Sequence, residues 1–216
     1  MNIWNGWLEL IQGLLNILSS GVGMGLAIVL GTLLLRSAIL PISWSIAYRG
    51  CIRQKKMIRL QPELQALKER YALQPDLYIK QLQALYSNHG LSFVDGKSLL
   101  GSLLQIPVLL GMFQSLKNLG DGVSFLWVRN LLKPDLALAV LAGVTTALMM
   151  WANPDLPEQM RAIMILVPSI IAVVVALKFC SALSVYWVTS NCFSAIQTVA
   201  VHVIVRRRIR MGALKI

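Results

Sequence analysis

Residues 22–44 read VGMGLAIVLGTLLLRSAILPISW, an apolar run interrupted by one charged residue, Arg36. A membrane-spanning helix needs about 20 predominantly apolar residues, and this run supplies them. Working outward, further segments meet or approach that length at roughly 98 to 116, 136 to 152, 161 to 178 and 183 to 205. The composition agrees. Of the 216 residues 56% are hydrophobic and 13% charged, where a soluble domain has about 25% charged residues. The expectation is an all-α membrane protein with five transmembrane helices.

The charge is mostly basic, with 20 Lys+Arg against 9 Asp+Glu and a formal net of +11. Such an excess suits either nucleic-acid binding or the cytoplasmic loops of a membrane protein, and the hydropathy selects the second. No Lys or Arg precedes Arg36, which argues against a secretory signal or an organelle transit peptide and points to a bacterial plasma (inner) membrane. Arg49, Arg53, Lys55, Lys56, Arg59, Lys68, Arg70, Lys80 and Lys97 fall between the first two spans, Arg161 between the third and fourth, and Arg206, Arg207, Arg208, Arg210 and Lys215 after the fifth. Only Lys117, Arg129, Lys133 and Lys178 fall on the other side. Cytoplasmic loops hold the excess of Lys and Arg, so the predicted topology is N-terminus out and C-terminus in, with 206–216 as a basic cytoplasmic tail. Anionic headgroups are the expected contact of that tail, at about 1 kcal/mol per charge.

Two polar-looking segments carry helical periodicity. Over 1–20, Trp4, Trp7, Leu8, Ile11, Leu14, Leu15 and Leu18 share one face and Asn2, Asn5, Glu9, Gln12 and Asn16 the other, as in an amphipathic helix lying in the membrane interface. Over 45–97, Met57, Leu60, Leu64, Leu67 and Tyr71 step by three and four, as do Tyr78, Leu82 and Leu85. Gln74-Pro75-Asp76 separates the two seams, because proline cannot donate its N–H or continue the first helix. This predicts a cytoplasmic helical hairpin.

Within the spans, polar side chains recur on single faces: Thr32, Arg36 and Ser43 in the first, Ser98, Ser102 and Gln105 in the second, Ser190, Asn191, Ser194 and Thr198 in the fifth. They either line a wet cavity or hydrogen-bond between helices. Arg36 stands apart, since an arginine near mid-bilayer costs at least about 2.5 to 3.5 kcal/mol on insertion scales. It faces a cavity or snorkels to the interface. Pro107 and Pro168 predict kinks in the second and fourth spans.

The order Leu35-Arg36-Ser37 to Pro41, Leu60-Gln61-Pro62-Glu63-Leu64, Leu85-Tyr86 with His89-Gly90, and Leu104-Gln105-Ile106-Pro107 resembles the YidC/Oxa/Alb family of membrane protein insertases. Gly143-Val144-Thr145, Met164 to Pro168 and Tyr186-Trp187-Val188-Thr189-Ser190-Asn191 follow in the same order. The resemblance covers about residues 20 to 205, in the compact five-span form without a large extracytoplasmic domain. It departs from the family at Lys178-Phe179-Cys180-Ser181-Ala182, where an aromatic, Pro, Ser, Gly turn is usual.

The resemblance implies an intramembrane groove, open to cytoplasm and lipid, that takes the hydrophilic tails of nascent membrane proteins partway across and releases their apolar segments to the lipid bilayer. Arg36, Gln105, Trp187 and Asn191 would bind substrate there, with Thr32, Ser102, Thr145, Tyr186, Ser190 and Ser194 as further lining. The ribosome and the Sec translocon are the further partners it suggests. A small solute or anion channel and a structural subunit are the alternative functions. Neither a Walker loop nor a complete dinucleotide fingerprint occurs, so no enzymatic step or cofactor is expected. Cys51, Cys180, Cys192, His89 and His202 are too scattered to predict a disulfide or a zinc site.

Overall fold

A computed structural model describes the backbone of residues 3–92, 96–117 and 122–214, and the side chains of 4–92, 106–116 and 122–214. These residues form α1 (Ile3–Val22), α2 (Met24–Arg59), α3 (Gln61–Arg70), α4 (Pro75–Asn88), α5 (Gly96–Lys117), α6 (Leu136–Trp151), a 3-10 turn (Glu158–Met160), α7 (Arg161–Ala176) and α8 (Ser181–Arg210). Among the described residues there is no strand. The protein is all-helical, and several helices are apolar enough to cross a membrane. Met24–Arg59, Glu158–Ala176 and Ser181–Arg210 reach the length of a span, while Ile106–Leu116 and Leu136–Trp151 are shorter apolar helices.

α2 is longer than the sequence reading allowed. It runs unbroken for 36 residues, past Trp44 into the stretch assigned to the hairpin. Between 45 and 59 no proline interrupts it, and Lys56 and Arg59 in its last turn suit the negative end of the helix dipole. The break comes at Leu60, because Pro62 has no N–H for the Ile58 carbonyl. Met57 therefore belongs to α2, and the helices that follow it and touch one another are α3 and α4. At the other end of α2, Gly23 adopts φ 79°, a backbone conformation that favours glycine, and so turns the chain from α1 into α2.

The hairpin seam matches its periodicity. Leu64, Leu67, Tyr71, Tyr78, Leu82 and Leu85 are half-buried, while the residues around them are mostly exposed. Neither helix has a fully buried residue. Low burial means low local stability, so backbone amides of α3 and α4 should exchange with deuterium faster than those of α2 and α8. Equal protection would contradict this.

The core lies where α1, α2, α5 and the start of α8 meet, around Ile11, Leu15, Ile28, Leu35, Met112, Leu116, Leu131 and Tyr186. α1 turns its apolar face into this core. Trp7 Nε1 donates to the Pro107 carbonyl at 3.0 Å and Trp4 Nε1 to Gln114 Oε1 at 3.3 Å. Both indole N–H groups, expected among headgroups, are thus satisfied within the protein. α7 is the opposite case. It buries only Ala172 and Ala176 and exposes Ile163, Leu166, Val167, Ile170 and Ile171, an apolar surface suited to lipid.

Two further points concern the last helix. α8 continues to Arg210, so Arg206 to Arg210 are helical rather than a loose tail, and Arg208 Nη1 donates to Tyr48 Oη at 3.1 Å. At its start, Ser181 N–H and Oγ both donate to the Lys133 carbonyl, at 3.1 and 2.5 Å, and Ala182 N–H to Leu131 O at 2.9 Å. The unusual Lys178–Ala182 turn is therefore anchored to the loop before α6.

Candidate functional site: a cavity beside Arg36

Arg36 is held in the bundle by helix packing. α2 lies against α8, and α8 against α6, which brings Arg36, Ser190, Asn191 and Thr146 to one place. An open-sided cavity of about 500 Å3 forms there, lined by Arg36, Leu109, Thr146, Met149, Pro168, Ile171, Tyr186, Trp187, Ser190, Asn191 and Ser194. Arg36 is 9% exposed. Its Nε donates to Ser190 Oγ at 2.9 Å, and Nη2 donates to the same oxygen. Among the described residues no carboxylate pairs with it. A guanidinium has five N–H donors, and one hydroxyl oxygen satisfies two.

Asn191 organises the opposite wall. An indole N–H is only a donor, so the Asn191 amide atom 3.3 Å from Trp187 Nε1 is its oxygen. The same oxygen lies 2.8 Å from Thr146 Oγ1. Asn191 thereby fixes the Trp187 ring on α8 and ties α8 to α6. At the closely packed end of the cavity Tyr186 is 1% exposed, above Leu131 and Leu183 at 0% and 5%, with the Ser181–Lys133 contacts beyond.

The structure brings Arg36, Tyr186, Trp187, Ser190, Asn191 and Ser194 together on one cavity. Thr32 and Thr145 do not line it. Thr32 is fully buried with Oγ1 donating to Ile28 O at 2.6 Å, and Thr145 donates to Ala142 O at 3.1 Å while its Oγ1 lies 3.4 Å from the Asn191 amide. Ser102 and Gln105 lie on α5, but their side chains are outside the described residues. The sequence reading missed Thr146, Met149 and Leu109. Thr146 adjoins Thr145 and carries the same chemistry, so the rotation of α6 alone decides which of the two reaches the cavity.

A family model described as "60Kd inner membrane protein" matches residues 17–208. The chain belongs to this family. Among relatives of the 60Kd inner membrane protein family, the membrane protein insertase YidC of Clostridium tetani is 33% identical over 181 residues, 81% of this chain and 80% of that protein. The membrane protein insertase MisCA of Bacillus subtilis is 35% identical over 190 residues, covering 83% and 70%. The membrane protein insertase YidC 1 of Halalkalibacterium halodurans is 36% identical, covering 81% and 68%. The match spans the cavity-lining parts of α2, α5, α6, α7 and α8 together.

Proposed function

We propose that the chain is a membrane protein insertase whose cavity receives the hydrophilic tail of a nascent membrane protein. The observation that carries this reading is Arg36: a buried cation, hydrogen-bonded to one serine and facing an open-sided cavity within an apolar bundle. Burying an uncompensated charge is costly, and such residues in membranes mark substrate pathways. Membership of the 60Kd inner membrane protein family supports the same reading.

In the proposed arrangement α2, α5, α6, α7 and α8 cross a bacterial plasma membrane, with the N-terminus out, the C-terminus in and the α3–α4 hairpin cytoplasmic. The support is the distribution of Lys and Arg and the exposed apolar face of α7. The hairpin, with little buried surface, receives substrate or targeting partners such as the ribosome or the Sec translocon. Arg36 attracts an acidic tail segment in a medium of lower dielectric than water, where Coulomb attraction is several-fold stronger. Ser190, Asn191 and Ser194 offer hydrogen bonds to the polar chain, replacing some of those lost to water. Gln105 would add to this from α5. The apolar segment then leaves sideways into lipid, where burial contributes about 25 cal/mol per Å2.

The test is reconstitution of the purified chain into liposomes with a short single-span substrate. Protease-protected insertion well above protein-free liposomes is the expected result. Ion conductance in planar bilayers without insertion would favour a channel instead.

A further inference from the structure

At one end of the bundle, away from the cavity, Cys51 on α2, His202 on α8 and Asp155 in the turn between α6 and α7 converge. Cys51 Sγ lies 3.3 Å from His202 Nδ1, and Asp155 Oδ2 lies 3.4 Å from the same nitrogen. All three ligand-type atoms are within 4.8 Å of one another. A thiol–imidazole–carboxylate relay would place its acid and its thiol on opposite ring nitrogens. Here both approach Nδ1, so the three groups point to one location rather than along a chain. With metal bonds of about 2.3 Å to sulfur and about 2.0 Å to nitrogen and oxygen, the edges of a tetrahedron are about 3.5 Å from S to N and about 3.3 Å from N to O. The observed separations lie close to both.

Asp155 supplies an independent observation. Its Oδ2 is buried and faces His202 Nδ1. Lys55 Nζ lies 2.9 Å from each of the two carboxylate oxygens. The lysine therefore neutralises the carboxylate, and Oδ2 is the oxygen turned toward the imidazole.

We propose that Cys51, His202 and Asp155 form a binding site for a divalent transition-metal ion, Zn2+ foremost, with water as the fourth ligand. A thiolate, an imidazole and a carboxylate suit zinc, whereas magnesium and calcium prefer oxygen ligands throughout. On binding, the Cys51 thiol loses its proton to solvent, and the thiolate and carboxylate together balance the charge of the ion. Lys55 pairs with both carboxylate oxygens when metal is absent and yields Oδ2 to the ion on binding, keeping Oδ1. Ions enter from the neighbouring pocket of about 490 Å3 that Asp155, Gln61 and Glu158 help to line. The bound ion links α2, α8 and the α6–α7 turn, adding to the Lys55 ion pair, Gln54 Nε2 donating to the Asp155 carbonyl at 2.8 Å and Asn153 Nδ2 donating to Gln54 Oε1 at 3.3 Å, which tie α2 to the turn.

The test uses the full chain in detergent micelles, stripped with chelator and titrated with Co2+ and then Zn2+. The expected result is one Co2+ per chain with a thiolate-to-metal charge-transfer band that Zn2+ abolishes. Cys51→Ser should remove the band, Asp155→Asn should weaken binding by about tenfold or more, and Lys55→Gln should tighten it several-fold. The band should survive in a Cys180→Ser/Cys192→Ser chain. In that same background, which keeps the three ligands intact, Zn2+ should slow alkylation of Cys51 by maleimide at least about tenfold. Absence of the band, its persistence in Cys51→Ser, or alkylation unaffected by Zn2+ would overturn the proposal.

Discussion

Replacing Arg36 with alanine is expected to lower insertion of substrates with acidic tails by about tenfold to a hundredfold, while Arg36→Lys keeps most of the activity. The size follows from Coulomb attraction in a partly hydrated cavity, limited by screening to about 1.4 to 2.8 kcal/mol, where 1.4 kcal/mol is about tenfold. Arg36 contacts one hydroxyl, Ser190 Oγ, through two of its N–H groups. That arrangement does not demand the forked geometry that distinguishes arginine from lysine. Neutral tails should be affected much less. The measurement is insertion yield per folded protein for both tail types. Equal losses for acidic and neutral tails, or a lysine variant as inactive as alanine, would show that Arg36 holds helices together instead.

The second large effect concerns Gly143 on α6. A Cβ at this position would collide with Val173 Cγ2 and sit 3.1 Å from the Ser169 carbonyl oxygen on α7. Close helix approach in a membrane depends on small residues at such crossings, and overpacking costs about 1 to 3 kcal/mol. Gly143→Val is thus expected to lower the melting temperature in detergent by several degrees and to reduce insertion, because Thr146, one turn along α6, lines the cavity. Val173→Ala removes the colliding methyl and should restore part of the loss in the double variant. A Gly143→Val chain as stable as the parent would refute the close packing of α6 on α7.

Much of this architecture was readable from the chain, for reasons that differ by element. The hairpin seam could be read because Pro75 marks its turn and the three-four spacing of Leu64, Leu67, Tyr71, Tyr78, Leu82 and Leu85 leaves one narrow face to bury. The end of α2 could not, because a helix satisfies its own hydrogen bonds and nothing obliges it to stop where apolar residues end. The packing of α1 into the core was hidden as well: Trp4 and Trp7 suit an interface and a protein partner equally, and only the position of Pro107 and Gln114 decides. In the cavity, Arg36, Ser190, Asn191 and Ser194 stood out as polar groups on apolar helices. Thr32 and Thr145 looked the same but the rotation of their helices turns them off the cavity wall, and apolar lining such as Leu109 and Met149 has no polar signature. The Cys51–Asp155–His202 cluster has no motif at all, since its members come from three distant parts of the chain.

The length of α6 carries a last consequence. It has 16 residues, which at about 1.5 Å per residue is about 24 Å, against a hydrocarbon layer about 30 Å thick. With this helix across the bilayer as proposed, the shortfall favours thinning of the lipid beside it, at a fraction of a kcal/mol per ångström of hydrophobic mismatch. A tail entering beside α6 then meets a shorter apolar barrier than one crossing undisturbed membrane, and the bilayer itself becomes part of the machinery.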